Sequence, residues 1–271
     1  MTADSIVGAE LLEGLTRIAS HAAGAILTVH REGLNRREKP DRSPVTAADE
    51  ASEAVILEAL ARLLPEVPVV SEEAAGQKKA RPPGRRFLVV DPLDGTREFL
   101  AGRDEFTVNI ALVDDGAPVA GVIAAPARGL IWRGLAGNGA ERLTLSPGAA
   151  PETARERVAI RTRARPPIAP RVLLSRSHLD AATVAYVDRL PRPERISCGS
   201  ALKFCLIAEG FADLYPRLSA TSEWDVAAGH ALLLAAGGGV RRPDGGALRY
   251  GQGGFLIPAF IAFGDGSATP L

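Results

Sequence analysis

The sequence predicts an α/β protein, on three observations. Helical and strand patterns alternate along most of the chain. A β-type apolar run, Phe87 to Val90, empties into acidic turn residues and then into a helix-like segment. Neither a disulfide scaffold nor a membrane-spanning helix is expected, because only Cys198 and Cys205 occur and no run of about twenty apolar residues exists.

The elements follow in order. Residues 5–29 read as an amphipathic helix, with Ile6, Leu11, Leu12, Leu15, Ile18 and Ile26 near helical spacing. A charged loop, 31–46, holds Pro40 and Pro44. Asp49 then opens a second helix, 49–64, stopped by Pro65. Strands are expected at 67–71, 86–91, 106–114, 118–125 and 129–135, with Gly116, Ala117 and Pro118 as a hairpin turn. Residues 146–154 and 165–170 are turn-rich, and the second stretch makes the better boundary. This gives an α+β metal-site half, 1–165, with helices and an antiparallel sheet, and an α/β substrate-binding half, 166–271. In the second half, strand 171–175, helix 180–190, strand 194–197, helix 200–209, strand 211–215 and helix 226–236 alternate. A strand pair, 255–263, closes the chain.

A folded chain of 271 residues buries roughly three quarters of its unfolded surface, so it needs no disulfide or metal staple. Its 32 basic and 32 acidic residues cancel. That argues against a nucleic-acid polymer or a membrane surface as partner. The start, with Asp4, Glu10 and Glu13, lacks the basic opening of a signal peptide. The cytoplasm is the expected compartment, with peripheral inner-membrane association left open. The sequence allows a homodimer without requiring one.

The chemistry concentrates in Phe87–Leu100, FLVVDPLDGTREFL. Asp91 and Asp94 flank a proline turn at a strand tip, and hard cations such as Mg2+ take oxygen ligands from one or two carboxylates plus substrate phosphate. Gly95 and Thr96 open a helix, where free backbone N–H groups favour an anion. Val69-Val70-Ser71-Glu72-Glu73 is a second strand ending in acids, and Trp224-Asp225 puts another acid ahead of an apolar helix. Singly, Asp49, Asp94 or Asp225 could be only a helix cap. Together, at element ends that converge on one crevice in layered α/β folds, they point to a metal site.

The order Glu72, Asp91-Pro92-Leu93-Asp94-Gly95-Thr96, Trp224-Asp225 closely resembles the inositol-monophosphatase superfamily of Mg2+-dependent, Li+-sensitive phosphatases. DPLDGTREFLAGRDEFTVNIALV, SRSH (175–178), GSALKFCLIAEGFADLYPRL (199–218) and WDVAAGH (224–230) narrow the resemblance to its CysQ-type branch, the 3′(2′),5′-bisphosphate nucleotidases. It spans the chain from about Val45 onward. The fold it implies is a layered α-β-α-β-α sandwich, and the setting it implies is sulfur assimilation or nucleotide recycling.

The resemblance implies metal ligands at Glu72 (rather than Glu73), Asp91, the Leu93 carbonyl, Asp94 and Asp225, holding two to three Mg2+ ions. Such ions, about 4 Å apart, bridge phosphate, acidify a bound water and stabilise the leaving oxygen. The Thr96 hydroxyl, with Glu72 or Asp49, is expected to orient the attacking water. The Gly95 and Thr96 amides are expected to hold the phosphate. Around the second phosphate and the base it implies His178, Ser200, Lys203 and Arg217, and Asp225 is expected to touch substrate as well as metal. Ser200 and Lys203 read as the first turn of helix 200–209, and Arg217 as a fork at a strand end.

Plainer readings stand beside these. Lys203 on an otherwise apolar helix could be solvent-exposed, and His178 or His230 a hydrogen-bonded loop or core residue. Cys205 reads as core, while Cys198 could be exposed. The basic runs at 77–86 and 155–171 are ordinarily solvated faces, although the first could draw in a polyanion. The expected activity is removal of the 3′-phosphate from adenosine 3′,5′-bisphosphate, giving AMP and phosphate. The rivals are an inositol-monophosphate or fructose-bisphosphate phosphatase on the same scaffold, and a non-catalytic nucleotide or metal sensor.

Overall fold

The computed structural model describes residues 8–32, 36–38, 44–75 and 84–264. Most of the basic run 77–86 lies outside the described residues. In chain order the first elements are α1 (Ala9–Glu32), β1 (Arg36–Glu38), β2 (Pro44–Thr46), α2 (Ala47–Leu63), β3 (Val69–Ser71) and α3 (Glu72–Ala75). Next come β4 (Arg86–Asp94), α4 (Thr96–Leu100), β5 (Thr107–Asp114), β6 (Ala117–Ala125), β7 (Leu130–Leu135), β8 (Gly139–Thr144) and β9 (Glu156–Ile160). The rest comprises β10 (Arg171–Ser175), α5 (Ala181–Asp188), β11 (Glu194–Cys198), α6 (Leu202–Ala208), β12 (Leu214–Arg217), β13 (Thr221–Ser222), α7 (Ala227–Ala236), β14 (Gly239–Arg241), β15 (Leu256–Ile257) and β16 (Phe260–Phe263).

Strands β3 to β9 form a seven-stranded sheet in sequence order, with only β3–β4 parallel. A five-stranded sheet has the order β11-β10-β12-β16-β14; β10 runs parallel to β11 and β12, and β16 antiparallel to β12 and β14.

The period-2 alternation of strand side chains dictates the layering. Leu88, Val90, Ile110, Leu112 and Val122 face a core shared with Leu15, Ile18 and Ile26 of α1 and Ile56 and Leu60 of α2. Their neighbours Phe87, Val89, Ala111, Val113 and Ile123 face the opposite core, filled by Phe204 and Ile207 of α6 and Leu232 and Leu233 of α7. That second core also takes Leu173, Tyr215 and Phe260 from one face of the five-stranded sheet. Val172, Leu214, Ile261 and Phe263 on its other face pack with Tyr186 and Val187 of α5. The result is helix, sheet, helix, sheet, helix, the expected sandwich.

Several local expectations need correction. The second helix begins at Ala47, because Thr46 is its cap; Asp49 is the third helical residue, reaching back to the Thr46 N–H. Strand 86–91 continues to Asp94 through a bulge. Strands β8 and β9 lie in a stretch with no strand expectation, since Gly139, Glu141 and Arg142 dilute one and β9 is an exposed edge. The final strands do not pair with each other: β15 joins β13, while β16 joins the large second sheet. Cys198 is buried, as Cys205 is. Several arginines of run 155–171 are ion-paired rather than simply solvated: Arg157 with Glu13, Arg163 with Asp213, Arg171 with Glu194.

Candidate active site

The site is built around the bulge in β4. Asp91 pairs with Asn109 of β5, and Asp94 with Thr107, so one extra residue is inserted between the two acids. Pro92 has no N–H to offer the ladder, which favours a bulge at this point. Three bonds fix the loop. Ser52 Oγ of α2 donates to the Pro92 carbonyl at 2.7 Å, Leu93 N–H to Asp91 Oδ1 at 3.0 Å, and Asn109 Nδ2 to Asp94 Oδ2 at 3.3 Å.

Asp225 arrives from the other side, on the 3-10 turn 223–225 ahead of α7. Its Oδ2 accepts from the Thr221 hydroxyl and, at 3.2 Å, from the Ser222 N–H. Carboxylate oxygens of Asp91, Asp94 and Asp225 all lie within 4.8 Å of one another. Burial, then the charges of Glu72, Asp94, Asp225 and Asp49, push the Asp91 carboxyl well above its ordinary range. Burial and Asp225 raise Asp94 to about 6, against the opposing pull of Lys203. Hard oxygen donors crowded in this way, with their negative charges uncompensated by one another, fit a divalent cation.

Gly95 follows the bulge at φ +89°, a conformation that favours glycine. The Thr96 hydroxyl lies 3.3 Å from Asp49 Oδ1 and 3.2 Å from the Leu93 carbonyl. Asp49 therefore caps with one oxygen, Oδ2, and meets Thr96 with the other.

These groups open into one cleft, about 910 Å3 with its solvent mouth included. Glu72, Asp91, Leu93, Asp94, Gly95, Thr96, His178, Ser200, Lys203, Arg217 and Asp225 all line it. Asp49 is buried behind Thr96 and does not line it.

The residues expected around the second phosphate and base are placed differently in detail. Ser200 is not in a first helical turn. It precedes α6 in a left-handed conformation, φ +47°, and its Oγ lies 3.4 Å from the Leu202 N–H. Lys203 is buried rather than exposed, at 4%. Its ammonium donates to the carbonyls of Ser200 at 2.5 Å and Cys198 at 3.3 Å and lies over the Tyr215 ring, 4.9 Å from the centroid. Arg217 Nε is buried with no hydrogen-bond partner among the described residues. Burial, then Arg217 and Arg97, lower the His178 pKa, favouring neutral imidazole. His230 belongs to the core, with Nδ1 3.0 Å from the Tyr250 hydroxyl.

Sequence reasoning did not single out Arg97, Glu98, Ser175, Ser177 or Tyr215, which also line the cleft. Each lies within a quoted motif, one to three residues from Thr96, His178 or Arg217. Proximity along GTRE, SRSH and YPR is the only sequence signal for them.

A layered sandwich whose sheet ends bring acids, a glycine turn and cations into one cleft defines a phosphatase scaffold. The chain belongs to the inositol monophosphatase family, whose sequence profile matches residues 9–267. The family is metal-dependent, and the acidic cluster of Asp91, Asp94 and Asp225 accords with it. Within the family, the chain is 43% identical over 261 residues to the 3′(2′),5′-bisphosphate nucleotidase CysQ of Salmonella typhimurium, covering 92% of this chain and 98% of that one. It is 42% identical over 253 residues to the protein of the same name from Escherichia coli K12, with the same coverage. The crystal structure of CysQ from Bacteroides thetaiotaomicron superposes with a TM-score of 0.75 at 35% identity, covering 94% of this chain and 97% of that one. No described helix is long and apolar enough to cross a membrane.

Proposed function

We propose that this chain removes the 3′-phosphate from adenosine 3′,5′-bisphosphate, giving AMP and phosphate, with two to three Mg2+ ions. One observation carries the reading: a single cleft is lined both by the carboxylate cluster and by two cations, Lys203 and Arg217. A polyol monophosphate has one anion, already met by the metal site, and no use for two further cations. The names of the relatives, at 42–43% identity, support the same substrate.

Glu72, Asp91, Asp94, Asp225 and the Leu93 carbonyl would hold the metal. When bound, Mg2+ neutralises phosphate charge and lowers the pKa of a coordinated water. The Thr96 hydroxyl, anchored by Asp49 and Leu93, orients the attacking water, and Glu72, or Asp49 acting through the Thr96 hydroxyl, accepts its proton. The Gly95 and Thr96 amides hold the cleaved phosphate. Arg217, whose Nε has no hydrogen-bond partner among the described residues, takes the uncleaved phosphate, with Lys203 as a nearby positive charge. His178 and Ser200 line the base and ribose side. Attack is by water directly, since neither cysteine is exposed to serve as nucleophile.

The test is phosphate release from adenosine 3′,5′-bisphosphate, its sulfated precursor, inositol 1-phosphate and fructose 1,6-bisphosphate. The bisphosphate nucleotide should have the highest kcat/KM. Chelator should abolish turnover, Mg2+ restore it, and Li+ reduce it. Asp94→Asn should lose orders of magnitude in rate while its circular dichroism stays native. Preference for inositol 1-phosphate would overturn the substrate, and full activity in chelator the metal.

A further inference from the structure

Glu105 lies between α4 and β5, on the seven-stranded side of the cleft, and both its carboxylate oxygens are engaged. Oε2 accepts from Arg176 Nε at 2.7 Å and from the Gly199 N–H at 2.8 Å; Oε1 accepts from Arg176 Nη2 at 2.8 Å. Arg176 Nη2 also donates to the Ser197 carbonyl at 3.0 Å. Arg176 directly follows β10 and Gly199 directly follows β11, which are parallel neighbours in the other sheet. One carboxylate thus holds two strand ends of the second sheet against the first. The bidentate fork fixes orientation as well as distance. It also holds the Glu105 carboxyl below its ordinary range.

The recognition residues leave from these two roots. His178 comes two residues after Arg176. Ser200 and Lys203 come one and four residues after Gly199. The seam has no slack. A Cβ on Gly199 would lie 2.9 Å from the Glu105 carbonyl and from Glu98 Cγ. A Cβ on Gly95 would lie 3.0 Å from that same carbonyl and 3.3 Å from Ser200 Cβ. Yet neither Glu105 nor Arg176 lines the cleft. The pair touches the roots of the recognition loops, not the substrate.

We propose that Glu105 and Arg176 form a positioning clamp, setting His178, Ser200 and Lys203 at the right reach from the Asp91–Gly95 loop for a substrate with two anchoring ends. This rests on the nucleotidase reading above. A bisphosphate nucleotide must engage both ends of the cleft at once. A simple monophosphate engages only the end built on β4, which the clamp does not position.

The experiment uses the full chain with Mg2+ and the variants Arg176→Met, Glu105→Ala and Glu105→Gln. For adenosine 3′,5′-bisphosphate, kcat/KM should fall about 10- to 100-fold in the first two, mostly through KM, as expected for loss of charge-assisted bonds. Glu105→Gln keeps an acceptor for the Gly199 N–H and should lose less. Phenyl phosphate hydrolysis should stay within about threefold, because its transition state does not use the clamped loops. Amide hydrogen exchange over 197–203 should speed up in Arg176→Met, with circular dichroism unchanged. Equal losses on both substrates, or an unchanged KM for the nucleotide, would overturn the clamp. If the wild-type chain itself shows no preference for the nucleotide, the nucleotidase reading fails. The clamp is then judged on exchange alone: faster exchange over 197–203 supports it, and unchanged exchange overturns it.

Discussion

Arg217 and Lys203 were expected to act alike, but their surroundings set them apart. Arg217 lines the cleft, and its Nε has no hydrogen-bond partner among the described residues. Lys203 has three ammonium protons, and two already point at the Ser200 and Cys198 carbonyls. One hydrogen bond to a charged group contributes about 1.5–3 kcal/mol. Arg217→Met should therefore lower kcat/KM for adenosine 3′,5′-bisphosphate by about 10- to 150-fold, at tenfold per 1.36 kcal/mol. A simple monophosphate should hardly notice. Lys203→Met should cost less in discrimination and more in stability, because it strips two carbonyls of their donor in a buried setting. The assay is steady-state kinetics on both substrates plus urea midpoints for both variants. Equal loss on the two substrates in Arg217→Met would refute the reasoning. So would a larger discrimination loss in Lys203→Met than in Arg217→Met.

Other expectations follow from single contacts. Thr96→Val removes the hydroxyl between Asp49 and Leu93 and should lower kcat more than it raises KM; a pure KM effect would make Thr96 a binding residue. Burial lowers the His230 pKa from 6.5 to about 4, so the unfolded chain binds a proton there that the native state refuses. Stability is then fully present above pH 6.5 and declines as pH falls toward 4, by about 3 kcal/mol more than in His230→Phe; parallel pH dependences in urea unfolding would sink this. A Cβ on Gly229 would lie 2.8 Å from Phe204 Cβ and closer to its ring, so Gly229→Ala should destabilise by about 1–3 kcal/mol. An unchanged urea midpoint would show that Phe204 repacks freely.

The parts legible in the sequence are those whose cause is local. Asp91-Pro92-Leu93-Asp94-Gly95-Thr96 announces itself because strand, proline, paired acids and glycine lie within ten residues of one another. The two-sided burial of β4 was legible, since Phe87, Leu88, Val89 and Val90 are apolar in succession, whereas the layering followed only from the family resemblance. Thr46 was missed as a cap because Asp49, three residues on, is itself a common cap residue. The burial of Lys203 was hidden because the carbonyls that hold it belong to a turn whose shape depends on Ser200 at positive φ. Glu105 lies within the quoted segment 91–113, but nothing there singled it out. Its partners stand 71 and 94 residues away, and nothing local distinguishes it from any loop acid.

The same division explains why one scaffold can serve different phosphate esters. Asp91, Asp94 and Gly95 ride on the seven-stranded sheet, while Ser200, Lys203 and Arg217 ride on the five-stranded sheet and α6. The two sets meet only because side chains are absent at the contact, at Gly95 and Gly199. α7 packs between the sheets with the same economy, since a Cβ on Gly134 would lie 2.7 Å from Ala235 Cβ and one on Gly121 3.0 Å from Ala231 Cβ. On the roles proposed above, exchanging residues around Ser200 or Arg217 should change which ester is preferred without disturbing the acid cluster. Moving the sheets apart, even by a methyl group at Gly199, would separate recognition from cleavage for every substrate long enough to need both.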